Sequence, residues 1–372
     1  MKIIHCADLH LDSQLTANLS KEQAKERRVE LLRTYERMVD YAAEQGVRAI
    51  IIAGDMFDTN RVSALARNTV AGKMADHPEI DFYYLKGNHD FNSALEMFDD
   101  PPENLKLFGT DWRMYTANPD TGSSVVITGV ELEQCNLDSI YDSLVLEYEK
   151  FNIVVLHGQE SMYQVKDKAE MINLAALRNK GIDYLALGHI HTYKMQELDR
   201  RGRYCYPGCL EGRGFDETED CGFVLLDIDE EKRTCQSCFV PFASRVLYEK
   251  AVDISGCMTS NEIAGRIRRE LDEAAYSDRS LVKIVLTGQV DIACEKNAEY
   301  LKNMKQQLES RYYFLKIYDE TRFAVDYHAF ALDESLKGEF VRTVNAAADL
   351  DDDTKAEIIR YGIQALAGEE IG

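Results

Sequence analysis

Aspartate, asparagine and histidine recur in five short motifs, each of which follows an apolar run. In chain order the motifs are Asp8-Leu9-His10, Gly54-Asp55 followed by Asp58, Gly87-Asn88-His89-Asp90, His157-Gly158 and Gly188-His189-Ile190-His191. Each motif alone has a structural interpretation, because aspartate caps helices and glycine and asparagine form turns. Together they indicate one reactive site, since ligands gather at the carboxyl ends of parallel strands.

The residue types in these motifs are those of metal ligands. The candidate ligands are Asp8, His10, Asp55, Asn88, His157, His189 and His191. Carboxylate, amide and imidazole groups without thiolates suit manganese, with iron or zinc as alternatives. Seven ligands exceed what one ion needs, so the sequence predicts two divalent ions. Two such ions clamp the attacking and leaving oxygens of a displacement at phosphorus and acidify a bound water.

His89 and Asp90 stand outside this ligand set. His89 lies beside Asn88 and is suitably placed to protonate a leaving alkoxide as a general acid. The sequence leaves two roles open for Asp90, which are orientation of His89 and stabilisation of the turn. We predict His89 and Asp90 as the catalytic residues.

Buried strands alternate with helices before the first three motifs. Apolar runs predict strands at 2–7, 48–53 and 80–85, with helices between them from Ser20 to Gly46 and over 65–74. Ser20 and Gln23 form a capping box, and Gly46 closes the first helix. This order predicts a largely parallel sheet. Further strands are predicted at 124–132, 152–156, 182–187, 203–206 and 222–228, and the last three suit a sandwich of sheets covered by helices.

The pattern changes near residue 243. Beyond it, strands at 246–252, 280–290 and 312–317 alternate with helices at 260–275 and 298–311, in the order β-α-β-α-β. Two short amphipathic helices follow from Leu336, separated by the acidic run 349–353. The sequence therefore predicts a catalytic domain over 1–243, a smaller α+β domain over 244–327 and a helical tail over 328–372.

The charge balance limits how the protein could hold nucleic acid. A formal net charge of −22 argues against a broad basic surface, although bound cations can supply positive charge locally. One basic cluster, interpreted as solvated helix surface, is Lys25, Arg27, Arg28, Arg33 and Arg37. A second cluster, which follows the catalytic motifs and is favoured for phosphate contact, is Arg200, Arg201, Arg203 and Arg213.

Cysteine usage and hydropathy indicate a cytoplasmic protein. The nine cysteines have no paired zinc-site spacing, and Cys235-Gln-Ser-Cys238 lies in a predicted strand that would put its thiols on opposite faces. The longest apolar runs are far shorter than a membrane span, and the N-terminus lacks the apolar core of a signal peptide. We therefore expect a reducing compartment and no membrane partner.

The five motifs, in this order, resemble those of the calcineurin-like metallophosphoesterase superfamily. The resemblance implies an α/β fold with a four-layer α/β/β/α sandwich as the catalytic domain. It implies that Asp8, His10, Asp55 and His191 hold one ion, and that Asp55, Asn88, His157 and His189 hold the second. His89 would be the substrate-facing acid. The motifs Gly-Asp-Met-Phe-Asp-Thr-Asn and Gly-Asn-His-Asp disfavour the protein Ser/Thr phosphatases, which carry Gly-Asp-x-x-Asp-Arg-Gly and Gly-Asn-His-Glu.

Three further features resemble the SbcD-type DNA exonuclease subunits, including the YhaO-like members. They are "GDMFD", the segment "YPGCLEGRGFDE" over 206–217, and a β-α-β-α-β segment like the capping domain of those nucleases. Cys209 departs from the serine that SbcD-like chains often have there. The resemblance implies a DNA exo/endonuclease whose cap contacts the duplex and whose catalytic domains form a homodimer. It also implies that the C-terminal helices dock on an SMC-like coiled-coil ATPase.

Two other functions are open. One is a phosphodiesterase of nucleotides or other small phosphoesters, which the cap and the tail disfavour because a small substrate needs neither. The other is a non-catalytic metallophosphoesterase-fold scaffold, which the complete ligand set disfavours. For the tail, the amphipathic pattern fits helix-in-groove binding to a partner and packing on the protein's own cap equally well.

Overall fold

The chain divides into two units, Met1–Val246 and Leu247–Gly372. The computed structural model describes residues 1–15, 19–59, 61–90, 101–118, 122–137, 139–163, 170–291, 294, 296–324 and 327–367. All five sequence motifs lie in the first unit. Every helix in these described ranges is too short or too polar to cross a bilayer.

The regular secondary structure of the first unit is mainly strands. They are β1 (Lys2–Cys6), β2 (Ala49–Ala53), β3 (Asp81–Leu85), β4 (Leu105–Leu107), β5 (Arg113–Thr116), β6 (Val125–Gly129), β7 (Phe151–His157), β8 (Gln159–Ser161), β9 (Met171–Asn173), β10 (Tyr184–Gly188), β11 (Lys194–Glu197), β12 (Arg203–Tyr206), β13 (Gly222–Asp229) and β14 (Thr234–Pro241). Its helices are α1 (Lys21–Glu44), α2 (Ala64–Ala75) and α3 (Leu174–Leu177).

Two six-stranded sheets form a sandwich in this unit. The first sheet has the order β14-β13-β1-β2-β3-β4, in which β1 to β4 are parallel. The second has the order β11-β12-β10-β7-β6-β5, in which β12, β10, β7 and β6 are parallel. Each of the five motifs stands at the carboxyl end of a strand in these two sheets. A shared site can therefore be built at those ends.

Side chains on the two faces of the first sheet pack into two different hydrophobic cores. Ile50 and Ile52 of β2 face the helix side, where they join Tyr35 of α1 and Val70 of α2 in one buried cluster. Ile51 faces the second sheet and belongs to the cluster between the sheets. Burial on both faces explains the continuous apolar runs of these strands. The predicted α/β class with sheets of parallel strands is confirmed.

Helix α1 begins and ends where its sequence signals predict. Ser20 Oγ accepts a hydrogen bond from Gln23 N at 3.2 Å, and Gln23 Oε1 accepts one from Ser20 N at 3.1 Å. At the other end, Gly46 has a φ of 68°, a left-handed conformation that glycine adopts readily. The outer layer on the second sheet is thinner, since in the described ranges it comprises the four-residue helix α3 and turns over 134–137 and 139–143.

The second unit contains a parallel sheet covered by helices. Its strands are β15 (Leu247–Asp253), β16 (Leu281–Thr287), β17 (Gln289–Asp291), β18 (Phe314–Asp319) and β19 (Arg322–Ala324). Its helices are α4 (Ser260–Ala274), α5 (Ala298–Glu309), α6 (Tyr327–Ala331), α7 (Leu336–Asn345) and α8 (Asp352–Ala367). Strands β15, β16 and β18 are parallel neighbours, which is the predicted β-α-β-α-β arrangement. The prediction of one strand over 280–290 is wrong, because Gly288, with a φ of 98°, separates β16 from β17.

The terminal helices share a small apolar cluster. Val341 and Val344 of α7 and Ile359 of α8 are buried together, with Phe340 and Ile363 packed against them. In this cluster the two terminal helices pack against each other, and α8 also lies against β19 of the same unit. Leu366 remains 46% exposed. Docking of the tail on a partner stays a prediction.

Candidate metal centre

The loops after β1 and β2 are hydrogen-bonded to each other where the first two motifs lie. Asp8 N donates to Gly54 O at 3.1 Å, and His10 N donates to Asp55 O at 2.9 Å. Asp8, His10 and Asp55 have φ angles of 51°, 43° and 53°. Non-glycine residues rarely adopt this left-handed conformation, and such strain concentrates at functional sites. The left-handed backbone turns the buried side chains of Asp8, His10 and Asp55 away from the ends of two parallel strands.

Asp8, His10 and His191 form the first group of donors. One ligand atom from each lies within 4.8 Å of the others. His10 Nε2 and His191 Nε2 are 3.2 Å apart, and His191 Nε2 is 4.0 Å from Asp8 Oδ1. Because His10 and Asp8 are buried, this group faces inward, with His191 on its exposed side.

Asp55 lies between the first group and the second. Its Oδ2 atom is 3.7 Å from His10 Nε2 and 3.5 Å from His157 Nε2. Its Oδ1 atom accepts a hydrogen bond from His89 N at 2.9 Å. The carboxylate therefore touches three of the five motifs from a nearly inaccessible position.

Asn88, His157 and His189 form the second group. Asn88 Oδ1 lies 2.9 Å from His157 Nε2 and 3.2 Å from His189 Nδ1. His189 N donates to both carboxylate oxygens of Asp8 at 3.0 Å, which joins the two groups. All the residues predicted as ligands from the sequence are thus brought together.

Gly87 and Gly54 permit this close approach. A Cβ atom at Gly87 would overlap the Asp55 carboxylate, and one at Gly54 would overlap the His157 ring. Gly54 also has a φ of 93°, which disfavours any side chain there. These glycines are required by the packing of the site as well as by the turns in which they lie.

The contacts of Asp90 are to backbone amides. Its carboxylate accepts hydrogen bonds from Gly87 N at 2.9 Å, Phe57 N at 3.0 Å and Met56 N at 3.2 Å. It is buried, whereas the His89 side chain is 47% exposed. Of its two predicted roles, these contacts support stabilisation of the turn.

Asp58 is the carboxylate that contacts His89. Its Oδ1 atom lies 3.0 Å from His89 Nδ1 and 3.3 Å from His10 Nδ1. Ser13 Oγ donates to its Oδ2 atom at 2.8 Å. Asp58 belongs to the second motif, but its role could not be predicted, because a single sequence does not show which carboxylate a histidine meets.

Glu217 orients His191 from behind. Its Oε1 atom lies 2.7 Å from His191 Nδ1, and Arg213 Nη2 donates to the same atom at 3.1 Å. Glu217 belongs to the segment "YPGCLEGRGFDE", which is the sequence feature that points to a functional role for it. Its role could not be found from spacing, because it lies 26 residues after His191.

The electrostatics of the cluster favour ionised carboxylates beside histidines. Burial opposes ionisation of Asp55, but contacts with His157 and His10 outweigh it and lower the pKa of Asp55 to about 2. Burial likewise opposes a charged His157, but the Asp55 and Asp8 carboxylates raise the pKa of His157 to about 9. Burial dominates at Asp8 and raises its pKa to about 6.

The donor set fits divalent cations. His157 Nδ1 contacts Ala53 O at 2.8 Å, and His191 Nδ1 contacts Glu217, so each ring presents Nε2 to the cluster. A hydrogen bond to the far nitrogen of the ring fixes the tautomer of a metal-binding histidine. Imidazole nitrogens that face each other among buried carboxylates are therefore candidate ligands for shared ions.

The two basic clusters differ from their predicted roles. Arg203 of β12 lies beside Tyr184 in the strand register, at the start of β10. That end of β10 is about 13 Å along the strand from the site. Arg201 forms an ion pair with Asp183 at 2.7 Å. The second cluster is therefore not a joint phosphate contact, and of its members Arg213 reaches the site. In the first cluster Arg27 is 1% exposed, because it pairs with Glu211. The interpretation as solvated surface is therefore wrong for Arg27, whereas Lys25, Arg33 and Arg37 are exposed.

An open cavity of about 280 Å³ lies beside the second group. Asn88 and His157 line it, together with Lys86 and the acidic residues Glu131, Glu133 and Glu170. The site can thus be reached from this side as well as past His89. The acidic lining explains why a polyanion would depend on bound cations here.

The family of the chain follows from the region that holds these motifs. Residues 1–193 of the 372 match the model of the calcineurin-like phosphoesterases. The chain belongs to this family. Calcineurin-like phosphoesterases are hydrolases that use a dinuclear metal site, and the groups around Asp8, Asp55 and His157 are the candidate ligands for it. The resemblance predicted from the five motifs is confirmed.

Known relatives of this calcineurin-like phosphoesterase match at modest identity. The uncharacterized metallophosphoesterase YhaO of Bacillus subtilis is 27% identical over 269 residues, covering 68% of this chain and 64% of YhaO. The DNA double-strand break repair protein Mre11 of Methanopyrus kandleri is 25% identical over 296 residues, covering 72% of this chain and 63% of Mre11. The chain thus covers less than two thirds of the length of these two relatives. Among solved structures, TT1561 of Thermus thermophilus aligns with a TM-score of 0.39 and 11% identity, over 64% of this chain and 98% of that one.

Proposed function

We propose that this chain is a two-metal phosphodiesterase, with manganese as its metal and DNA as its substrate. The observation that carries the proposal is the convergence of the five motifs around the Asp55 carboxylate, which touches residues of three of them. Iron and zinc are the alternative metals, because the donors are nitrogen and oxygen atoms.

Each ion has its own ligand set in this proposal. Asp8, His10, Asp55 and His191 hold one ion, while Asp55, Asn88, His157 and His189 hold the other. Asp55 bridges the pair, which agrees with its position between His10 and His157. When bound, the two ions supply Lewis-acid charge and lower the pKa of the attacking water.

His89 acts as the general acid. Its side chain is half-exposed at the rim of the cluster, and Asp58 contacts it through Nδ1 at 3.0 Å. This contact leaves Nε2 to hold the proton that passes to the leaving oxygen. Asp90 supports the reaction indirectly, since its hydrogen bonds to Gly87 and to Met56 and Phe57 hold the turn that presents Asn88 and His89.

DNA is favoured over a small phosphoester by two observations. The relatives matched over more than two thirds of this chain include proteins named as DNA double-strand break repair protein Mre11. The second unit adds a β-α-β-α-β sheet and terminal helices, which a small substrate would not need. We assign residues 244–327 to a capping domain that contacts the duplex, and 328–372 to a tail.

The tail is the proposed docking site of an SMC-like coiled-coil ATPase, and the first unit the proposed site of homodimerisation. Leu332, Leu336 and Leu366 are 92%, 67% and 46% exposed, so apolar side chains remain available on this segment. A cytoplasmic location, with access to DNA, is part of the same proposal.

One assay separates the three candidate functions. The purified chain is supplied with Mn²⁺ and tested on labelled single- and double-stranded DNA and on a bis-aryl phosphodiester, beside His89→Ala and Asp55→Ala. We expect both DNA and the diester to be cleaved by the wild type. His89→Ala should keep its metal and lose turnover, whereas Asp55→Ala should lose metal. Equal metal loss in both variants would contradict the role of His89.

Other outcomes would replace the proposal. Hydrolysis of the small diester without DNA cleavage, with or without an ATPase partner, would favour the small-phosphoester enzyme. Failure to cleave any substrate, together with no bound metal by elemental analysis, would favour the non-catalytic scaffold.

A further inference from the structure

A loop over 209–221 delivers two side chains to the metal centre. Its ends are held together, because Gly222 N donates to Cys209 O at 3.0 Å. Cys209 N also donates to His191 O at 3.1 Å, which ties the start of the loop to a candidate ligand. Arg213 and Glu217 project from this loop toward the site.

The Arg213 guanidinium lies between two carboxylates. Arg213 Nη1 is 3.4 Å from Asp58 Oδ2, and Arg213 Nη2 is 3.1 Å from Glu217 Oε1. The main chain reinforces this pairing, since Arg213 N donates to Glu217 Oε2 at 2.6 Å. The side chain is 17% exposed, so solvent screens these ion pairs less than it would at an open surface.

Each of those carboxylates orients a different histidine. Asp58 contacts His89 at 3.0 Å, and Glu217 contacts His191 at 2.7 Å. His89 is the proposed acid and His191 a proposed ligand, so the guanidinium joins the two functions through one planar group. Arginine suits this position because its fork presents several donors in fixed directions, whereas lysine offers a single point of charge.

The loop that carries Arg213 is fastened at a buried position. Glu211 is 2% exposed and accepts hydrogen bonds from Thr34 Oγ1 at 2.7 Å and Arg27 Nη2 at 3.2 Å. Arg27 Nη2 also donates to Gly212 O at 2.9 Å, and Ser244 N donates to Glu211. A buried ion pair is expensive to form and is held in one geometry by its hydrogen bonds. The backbone before Arg213 is therefore fixed against α1.

We propose that Arg213 is a positioning residue for the phosphodiesterase reaction, holding Asp58 and Glu217 so that His89 and His191 keep their orientations. This inference rests on the proposed function. Arg213 acts through the two carboxylates that it contacts, Asp58 and Glu217.

The test compares Arg213→Ala and Arg213→Lys with Arg203→Lys, a matched change at the exposed first residue of β12, which lies beside the start of β10 and away from the site. Hydrolysis of a bis-aryl phosphodiester is measured at saturating Mn²⁺, and Mn²⁺ binding is measured separately by calorimetry. We expect Arg213→Ala to lower kcat by about 100-fold with KM altered by less than about threefold, because misplaced catalytic groups slow the chemical step.

Two further readouts distinguish positioning from a general loss of structure. Mn²⁺ affinity should fall by about 10-fold in Arg213→Ala, the range seen when a group that orients a metal ligand is removed. Added guanidinium ion should restore part of kcat in Arg213→Ala. Arg213→Lys should be intermediate, and Arg203→Lys should match the wild type. If Arg213→Ala does not fold, Arg213→Lys carries the same comparison.

Two results would overturn the inference. A rise in KM with unchanged kcat would make Arg213 a substrate contact, and unchanged kcat together with unchanged Mn²⁺ affinity would make it a surface ion pair. Failure of the proposed function is distinguishable. A wild type that binds no Mn²⁺ would overturn both the proposed function and the positioning role, whereas one that binds Mn²⁺ but cleaves no phosphodiester would overturn the proposed function alone. In that case equal affinities in the wild type and Arg213→Ala would overturn the positioning role by themselves.

Discussion

Asp58 Oδ1 lies 3.0 Å from His89 Nδ1, which makes the carboxylate of the second motif the partner of the histidine in the third. Serine and arginine side chains hold the other oxygen of Asp58, through Ser13 Oγ at 2.8 Å and Arg213 Nη1 at 3.4 Å. These contacts, with those of His10, outweigh the burial that opposes ionisation and lower the pKa of Asp58. An ionised Asp58 accepts the Nδ1 proton of His89, and a His89 ring that acts as an acid carries its second proton on Nε2, the nitrogen that faces away from Asp58.

Asp58→Asn tests this pairing without changing the size of the side chain. We expect kcat for a bis-aryl phosphodiester to fall by about 10- to 100-fold, because a misoriented His89 loses part of the contribution of general-acid catalysis. Metal content, measured by elemental analysis, should equal that of the wild type. Metal loss as complete as in Asp55→Ala would instead make Asp58 a ligand.

Mn²⁺ binding should depend on pH because His157 must lose a proton to bind an ion. In the metal-free protein burial opposes the charged ring, but the Asp55 and Asp8 carboxylates raise the pKa of His157 to about 9. Metal and proton therefore compete below that pH, and the Mn²⁺ affinity should rise by up to about tenfold for each unit from pH 7 to pH 9.

Calorimetry in two buffers of different ionisation enthalpy measures this proton release directly. We expect about one proton to leave His157 for each chain loaded at pH 7.5. His77→Gln, a change at a histidine outside the cluster, should release the same number of protons on Mn²⁺ binding as the wild type. An affinity independent of pH between 7 and 9 would contradict the protonated state of His157.

Asp90→Ala should destabilise the fold. The substitution leaves the amides of Gly87, Phe57 and Met56 without their acceptor, and the free energy of unfolding should fall by about 3 kcal/mol. Asp142→Ala, at an exposed position, should stay within about 0.5 kcal/mol of the wild type in the same denaturant titration. An Asp90→Ala variant of unchanged stability and no turnover would restore the catalytic role for Asp90.

The sheets and the ligand cluster could be predicted because their signals are local. Apolar runs such as Ile50, Ile51 and Ile52 need burial on both faces, and the motifs stand directly after those runs. Parallel strands then bring Asp8, Asp55 and Asn88 to one edge whatever the lengths of the intervening helices.

The contacts that orient the site could not be predicted, because they join distant parts of the chain. His89 is adjacent to Asp90, but the carboxylate that it meets belongs to Asp58, on the loop after β2. Arg27 lies four residues before Leu31 on the buried face of α1, but its charge suggested solvent exposure, and only its partner Glu211, 184 residues away, explains its burial. Periodicity reports which face of an element is apolar, not which charged group will lie opposite it.

The most direct test of the account is to locate manganese in crystals of the protein by anomalous diffraction. Crystals grown with Mn²⁺ should give two anomalous peaks on either side of the Asp55 carboxylate, one beside His10 and His191 and one beside Asn88 and His157. Crystals of Asp55→Ala should lack at least one of the two peaks. A wild-type map with a single peak, or with no peak next to Asp55, would contradict the two-metal centre on which the proposed function depends.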